Sequence, residues 1–286
     1  MQLQSLPLEA KINFTERRIR QWYDYWHGQV YVSFSGGKDS TALLHLVRNL
    51  YPDVSAVYCD TGLEYPEVRD FVKQTDNVAW IKPKKTFKQV IEKVGYPVVN
   101  KEQAQYIYEY RNTKSDKLKH IRWHGTNGSF KISEKWKYLI DAPFKISEKC
   151  CHIMKKYPFK KYEDSTGRKP ILGLMASDSN QRKGQQLKHG CNAFGLSRPR
   201  SNPLSIWVEQ DIWDYLKLKE VPYSSIYDMG YHNTGCMFCL FGYHNDSIPT
   251  RFDRMKQTHP KQYRYCMEVL DLKTVIAWLE KTGRGL

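Results

Sequence analysis

Gln29-Val30-Tyr31-Val32-Ser33-Phe34 runs straight into Ser35-Gly36-Gly37-Lys38-Asp39-Ser40, and the chain continues Thr41-Ala42-Leu43-Leu44-His45-Leu46-Val47-Arg48-Asn49-Leu50. The first six residues are β-branched, aromatic and short in run, the composition of a buried strand. The last stretch repeats apolar residues at helical spacing, with Leu43, Leu44, Leu46, Val47 and Leu50 on one face. Two glycines between strand and helix let the backbone turn sharply and approach a ligand closely. The unpaired N–H groups of a helix start favour an anion there. Ser35 and Ser40 add hydroxyl donors and Lys38 adds charge. Asp39 cannot donate to a phosphate, so it is expected either to cap the helix or to help hold a metal ion. The GxxxxGK[ST] spacing of a Walker A loop is absent, which makes this a different phosphate cradle.

Outward from that loop the alternation continues. Val54 to Cys59 reads as a second strand, ending at Asp60-Thr61-Gly62. Glu64 to Lys73 reads as a helix, Val78 to Ile81 as a third strand and Pro170 to Met175 as a later one. Strand and helix in alternation predict an α/β fold, a parallel sheet flanked by helices. Ligands of such sheets bind beyond the carboxyl ends of the strands, so Asp60, Thr61 and Gly62 are expected near the pocket of residues 35–40. Residues 1–28 read as a helical lead-in, anchored by Ile12, Ile19, Trp22 and Trp26. Residues 29–245 then form one nucleotide-binding and metal-binding domain, and 246–286 a mostly helical C-terminal extension. Asn202 to Leu216 reads as a turn followed by an amphipathic helix with Ile206, Trp207, Ile212, Trp213 and Leu216 in the core. The middle, roughly 100–150, is basic and less regular. FKISEKW from Phe130 and FKISEKC from Phe144 echo each other as short helix starts, with Ser133 and Ser147 as expected caps.

Forty-five Lys and Arg against thirty Asp and Glu give a formal charge of +15 over 286 residues. Such an excess favours a polyanionic partner. Basic runs with interleaved aromatics, at Lys114–Trp123, Lys131–Tyr138 and Lys155–Arg168, fit a nucleic acid as that partner. A generically basic surface is the alternative. No apolar run approaches the roughly 18 residues that cross a bilayer, and the N-terminus lacks the apolar stretch of a secretory signal. A cytoplasmic, reducing location is expected. The seven cysteines are an odd number, a poor disulfide framework, so metal or redox chemistry comes first. Cys236 and Cys239 form a CxxC, while Cys150 and Cys151 are adjacent and ill-placed for a relaxed disulfide with each other. Together the four suit zinc or a [4Fe–4S] cluster, and spacing alone does not choose.

Five ordered motifs carry a resemblance that spans roughly residues 28–240. SGGKDS after the first strand resembles the PP-loop of the adenine nucleotide alpha-hydrolase superfamily. Cys59-Asp60-Thr61-Gly62 with Tyr65-Pro66-Glu67 resembles the DTG…FPET segment of phosphoadenylylsulfate (PAPS) reductases. Cys150 to Phe159 resembles their CCxxRKxxPL, with Met154 in place of an Arg. Gly173 to Arg182 resembles their GxRxxxSxxR, with Met175 in place of an Arg. Ile226 to Cys239 resembles their LYDxGYxxxGCxxC. The resemblance implies an adenosine nucleotide in the pocket, Arg182 on its phosphate or sulfate, and a [4Fe–4S] cluster on Cys150, Cys151, Cys236 and Cys239.

The reductases of this family also carry a nucleophilic Cys in a late ECGLH motif, whereas this chain ends Thr282-Gly283-Arg284-Gly285-Leu286. Its late cysteine, Cys266, sits among apolar and aromatic neighbours and reads as a core residue. A complete SGGKDS loop looks like the ATP-cleaving members, with Mg²⁺ neutralising the departing pyrophosphate. Cys191 lies in a basic stretch, Lys188-His189-Gly190-Cys191, which would raise its thiolate fraction. It is a candidate persulfide carrier, an extra cluster ligand or an ordinary buried thiol. The leading expectation is ATP-dependent sulfur transfer: an acceptor, with nucleic acid as the candidate, is adenylated, and sulfur from a donor then displaces AMP. Asp39, Lys38 and Cys191 would be its catalytic residues. Reduction of APS or PAPS to sulfite by a thiol reductant is the alternative, and a silent nucleotide-binding or nucleic-acid-binding regulator is the third. Oligomeric state is not legible.

Overall fold

The computed structural model describes residues 2–281, so the TGRGL end lies outside the described residues. Eight strands occur among them: β1 (Val30–Ser33), β2 (Ala56–Cys59), β3 (Val78–Ile81), β4 (Val98–Val99), β5 (Lys169–Leu172), β6 (Asn192–Ala193), β7 (Arg200–Ser201) and β8 (Leu240–Phe241). Two compact units divide the chain. One comprises residues 1–60, 64–82 and 158–234; the other comprises 61–63, 83–157 and 235–286.

The first unit is built on a six-stranded sheet of order β3-β2-β1-β5-β7-β6. All neighbours pair parallel except β6 with β7. The chain lays β2 and β3 on one side of β1 and returns with β5 on the other. The strand order therefore reverses at β1, and in open sheets of this kind ligands bind beyond the carboxyl end of the strand where it does. The loop Ser35–Ser40 stands at that point. The α/β reading of the sequence is thus the observed architecture, with helices Lys38–Leu50, Pro66–Lys73 and Glu209–Leu218 covering the sheet.

The core explains why these segments fold as they do. Val30, Val32 and Phe34 of the first strand and its exit pack with Leu43, Leu46 and Val47 of the following helix. Ile19 and Trp22 of the helix Leu8–Tyr25 are fully buried against them, whereas Ile12 and Trp26 are partly buried. Trp207 is wholly buried, and its indole N–H donates to Thr15 Oγ1 at 2.8 Å, so that nitrogen is satisfied. Trp213, expected in the core, is only partly buried and sits edge-on to Tyr223 and Tyr227.

One ion pair lies inside this core. Lys11 Nζ meets Asp211 Oδ2 at 2.6 Å, and the same oxygen accepts the Val208 backbone N–H at 2.7 Å. Removing one partner of a buried pair leaves an uncompensated charge and typically costs about 3–5 kcal/mol. Asp211→Ala is therefore expected to destabilise the protein by that amount in urea denaturation. A cost under about 1 kcal/mol would show that the pair is solvated, as exposed pairs are.

The second unit holds a two-stranded parallel ribbon of β4 and β8, which the sequence reading did not anticipate. The two FKISEK copies diverge. Glu134–Asp141 winds as a 3₁₀ helix, and Ser133 makes no side-chain cap there, contrary to expectation. In the other copy Ile146 bridges to Tyr96, and Ser147 Oγ accepts the Lys149 N–H at 3.1 Å. Helices Arg251–Thr258, Pro260–Arg264 and Leu272–Glu280 form the helical C-terminal part. No helix among the described residues is long and apolar enough to cross a membrane.

Candidate functional site

Sharp turning at residues 35–40 has a steric basis. Gly36 has φ +72°, and a Cβ on it would lie 2.7 Å from Val72 and 2.8 Å from Val68. A Cβ on Gly37 would lie 2.6 Å from Thr234 Oγ1. Gly36 therefore requires glycine on both counts, and any side chain at Gly37 would have to displace Thr234. The two serine hydroxyls, expected as ligand donors, are turned onto the loop itself. Ser40 Oγ receives the Ser35 N–H at 3.1 Å and donates to the Gly37 carbonyl at 2.9 Å. Ser35 Oγ stands 3.0 Å from Ser40 Oγ and receives the Gly37 N–H. They hold the shape of the cradle.

Asp39 does not cap the helix: the cap position is Gly37, and no side-chain cap bond exists there. Its Oδ1 is instead buried without a hydrogen-bond partner, 3.8 Å from the Lys38 ammonium. Burial raises the Asp39 carboxyl above the ordinary carboxylate value. Lys38 and Arg182 oppose that shift, whereas the charges of Asp178 and Glu209 add to it. A buried carboxylate oxygen left unpaired is rare and calls for a missing partner. Of the two roles expected for Asp39, cation holding is the one its surroundings fit.

Lys38 is 3% exposed and already engaged. Its ammonium donates to the His232 carbonyl at 3.0 Å and pairs with Glu209 at 3.2 Å. Burial alone would lower its pKa, but Asp39, Tyr227 and Glu209 together hold the ammonium above its ordinary value. The Lys38 N–H at the helix start donates to the Tyr227 hydroxyl at 2.8 Å. Tyr227, Asp178 and Glu209 were not singled out in the sequence. The first two lay inside quoted motifs, and Glu209 opens the Trp-rich helix. Arg182 pairs with Asp178 and is partly exposed. Asp60 closes β2, receives Arg69 at 3.0 Å and has Lys82 at 3.7 Å. Thr61 Oγ1 accepts the Leu63 N–H, and Gly62 takes φ +72°.

In the second unit the four expected cysteines come together. Burial pushes the Cys150 thiol up, and charges on Cys151, Cys236 and Cys239 push it further, against a smaller opposing effect of Lys155. Cys239 is pushed up to about 11, again mainly by burial and then by Cys236. Among the described residues, no three His, Cys, Asp or Glu side chains close on one ion position. The chemistry of the donor set fits the expected cluster: four soft sulfurs in one unit, two of them with thiols pushed up by burial and by neighbouring sulfurs, would need a metal centre to be thiolates together. The elements around them are built to hold position. One π turn, His152–Lys156, directly follows the Cys150-Cys151 pair. Arg251 donates to the Cys239 and Phe241 carbonyls, both at 3.2 Å, while Asp246 fixes its guanidinium.

The remaining candidate thiols lie elsewhere. Cys191 is buried in the first unit, and the groups touching its sulfur are Ser205 Oγ at 3.2 Å and Gln186 Nε2 at 3.6 Å, not the expected Lys188 and His189. Cys266 is 0% exposed, and burial pushes its thiol up to about 12.

A glycine-turned loop at the switch point of a parallel sheet, with two cysteine pairs in a second unit, defines an α/β protein with a candidate anion loop and a candidate thiol centre. The chain matches the model of the phosphoadenosine phosphosulfate reductase domain over residues 29–122 and 101–240, and it belongs to that family. An uncharacterised protein of Methanocaldococcus jannaschii is 24% identical over 260 residues, covering 88% of this chain but 51% of the relative. The chain thus spans about half the length of that relative. Adenosine 5'-phosphosulfate reductase of Staphylococcus epidermidis is 23% identical over 248 residues, covering 84% of this chain and 83% of the reductase. A crystal structure of phosphoadenylyl-sulfate reductase from Candida auris, a phosphate complex, superposes with a TM-score of 0.45 and 15% identity, over 81% of this chain and 96% of that one.

Proposed function

We propose that the chain is an ATP-using sulfur-transfer enzyme. The observation that carries this reading is the buried Asp39 Oδ1, which has no hydrogen bond and only the Lys38 ammonium at 3.8 Å, in the field of Asp178 and Glu209. Carboxylates gathered against an anion loop need a divalent cation between them and the ligand, or they would repel it. ATP brings Mg²⁺ with its phosphates, whereas attack on the sulfur of APS or PAPS needs no such ion. In the reaction an acceptor oxygen attacks the α-phosphorus of ATP, the α–β P–O bond breaks and pyrophosphate leaves. A sulfur nucleophile from a donor then attacks the adenylated carbon, and AMP departs with the original oxygen.

The chain's residues divide the work. Gly36 and Gly37 let the backbone close on the phosphates, and the lysine–carboxylate group at Lys38 and Glu209 fixes the helix start. Asp39 would hold a cation brought with the phosphates, and Arg182, partly exposed and paired with Asp178, would offer its guanidinium to phosphate. Cys150, Cys151, Cys236 and Cys239 would hold a [4Fe–4S] cluster, one thiolate to each iron, which when bound would supply redox and electrostatic character, the sulfur itself coming from the donor.

Sulfonucleotide reduction is the second reading, favoured by the reductases matched over more than four-fifths of this chain. It needs an attacking thiolate. Cys266 is sealed and protonated, and Cys191 is buried against Ser205, so the nucleophile would have to come from elsewhere. The two readings part in one experiment on anaerobically purified protein. Pyrophosphate release from Mg·ATP that rises with added acceptor is expected, with no sulfite from APS or PAPS plus thiol. Sulfite over several turnovers, without ATP cleavage, would replace the first reading by the second.

A further inference from the structure

Helix Asp116–His124 in the second unit has no buried side chain, although nine residues long. Between residues 111 and 137, eight Lys and Arg stand against two acids, Asp116 and Glu134. Lys114, Lys117, Lys119 and Lys135 are exposed. Glu134 is taken by Lys137 at 2.8 Å and Arg122 by Glu109, and Asp116 alone is left against the four exposed lysines, so the face is positive.

Beyond the helix the chain makes a tight hairpin. Thr126 and Ser129 exchange both backbone hydrogen bonds, at 2.8 and 3.0 Å, around Asn127 and Gly128. Both central residues have positive φ, 51° and 76°, the signature of a rigid two-residue Asn-Gly turn. Phe130 follows with φ +64°, a left-handed backbone that a bulky residue adopts only under constraint. The constraint is Arg122. Its Nη1 donates to the Phe130 carbonyl at 2.8 Å, its Nε pairs with Glu109 at 2.6 Å, and its backbone carbonyl accepts the Ile132 N–H at 2.8 Å. The guanidinium also stacks over Tyr106, 4.2 Å from the ring centroid. All this order ends with a phenyl ring that is 58% exposed. A fold normally relaxes such a backbone and hides such a ring, and strain of this kind clusters where a ligand is met.

We propose that this hairpin is a docking surface for RNA, with Phe130 stacking on an unpaired base and the lysines of the adjoining helix neutralising phosphates. Charge complementarity sets the polyanion, and the exposed ring sets the need for a base free to stack. Unpaired bases in loops, splayed onto aromatic side chains, are the usual mode of RNA recognition. The proposal deepens the sulfur-transfer reading by giving its acceptor a chemical class, and rests on that reading only for the word acceptor.

RNA binding is measured without ATP, so the two can fail separately. A fluorescently labelled RNA hairpin with a single-stranded loop would be titrated with the full chain and followed by anisotropy. Binding should weaken steeply with salt. The double substitution Lys117→Glu and Lys119→Glu should weaken it tenfold or more and flatten the logarithmic salt slope by about 0.7 per lost contact. Phe130→Ala should weaken loop binding by about tenfold with the salt slope unchanged, whereas Phe130→Tyr should retain it. Unchanged far-ultraviolet circular dichroism and melting would exclude misfolding, as the substituted side chains are exposed. A fully paired DNA duplex bound as tightly as the RNA loop, indifference to Phe130→Ala, or no salt-sensitive binding would each overturn the proposal, whatever ATP cleavage shows.

Discussion

Replacing Asp39 by alanine is expected to reduce acceptor-dependent pyrophosphate release by about two to three orders of magnitude, the usual consequence of removing a preorganised electrostatic group from a reacting phosphate. The same variant should keep its full iron content, because the four cysteines belong to a different unit. It should also fold at least as well as the parent. Asp39 carries a buried oxygen with no hydrogen-bond partner, and burial raises its pKa above the ordinary 3.8. A carboxyl whose folded value is raised binds its proton more tightly in the folded state. Its ionisation therefore opposes folding increasingly as pH rises past the unfolded value. Alanine removes that penalty, so the melting midpoint at neutral pH should rise or stay level while activity collapses. Loss of activity with gain of stability is the mark of a residue kept for chemistry. A variant that loses stability and activity together would make Asp39 a structural residue. One that cleaves ATP normally would remove it from the mechanism. Asp39→Asn separates charge from shape: it should be nearly as inactive, because a neutral amide holds Mg²⁺ poorly.

How much of this centre could be read in the sequence follows from the distance along the chain over which each contact is made. Ser35 to Ser40 is local: strand, glycine turn and helix lie within 22 residues, from Gln29 to Leu50, so composition and periodicity suffice. The partners of Lys38 are not local. Glu209 and Tyr227 are brought to it by the return of the chain on the far side of β1, and no local pattern marks either as a neighbour. The lysine read as a free phosphate donor is thus spoken for. Asp39 was legible as a residue but not as a role, since capping and cation binding are distinguished only by where its oxygens point. Cys191 failed differently: its sequence neighbours Lys188 and His189 do not touch its sulfur, because the chain turns at Gly190 and buries the thiol on Ser205. Ser133 and Ser147 share one local sequence but not one structure, since the second copy is drawn into pairing with Tyr96. Phe130 stood in the quoted echo but carried no signal, because a positive φ on a phenylalanine is invisible to composition.

Cys150→Ser and Cys239→Ser are expected to abolish the iron–sulfur absorbance of anaerobically purified protein and most of its iron, against about four irons per chain in the parent. The cysteines elsewhere in the chain sharpen the comparison. Cys191→Ser and Cys266→Ser should leave iron and sulfide unchanged, since the one sulfur contacts Ser205 and the other donates to the Tyr263 carbonyl at 3.2 Å. The expected asymmetry is large because a cluster ligand cannot be half-replaced: serine is a harder and more basic donor, and the other three thiols, mutually repelling once ionised, would need a metal to hold them together. Arg251 extends the argument one shell outward. It binds the carbonyls of Cys239 and Phe241 while paired with Asp246, so it sets the shape of the turn that carries two of the ligands. Arg251→Met should lower iron occupancy without abolishing it, and Arg251→Lys, which keeps charge but cannot bridge two carbonyls and a carboxylate, should fall nearer Met than the parent. Iron equal to the parent in Cys150→Ser, or zinc in place of iron in the parent, would refute the cluster. In the zinc case the same four cysteines would be a structural clamp.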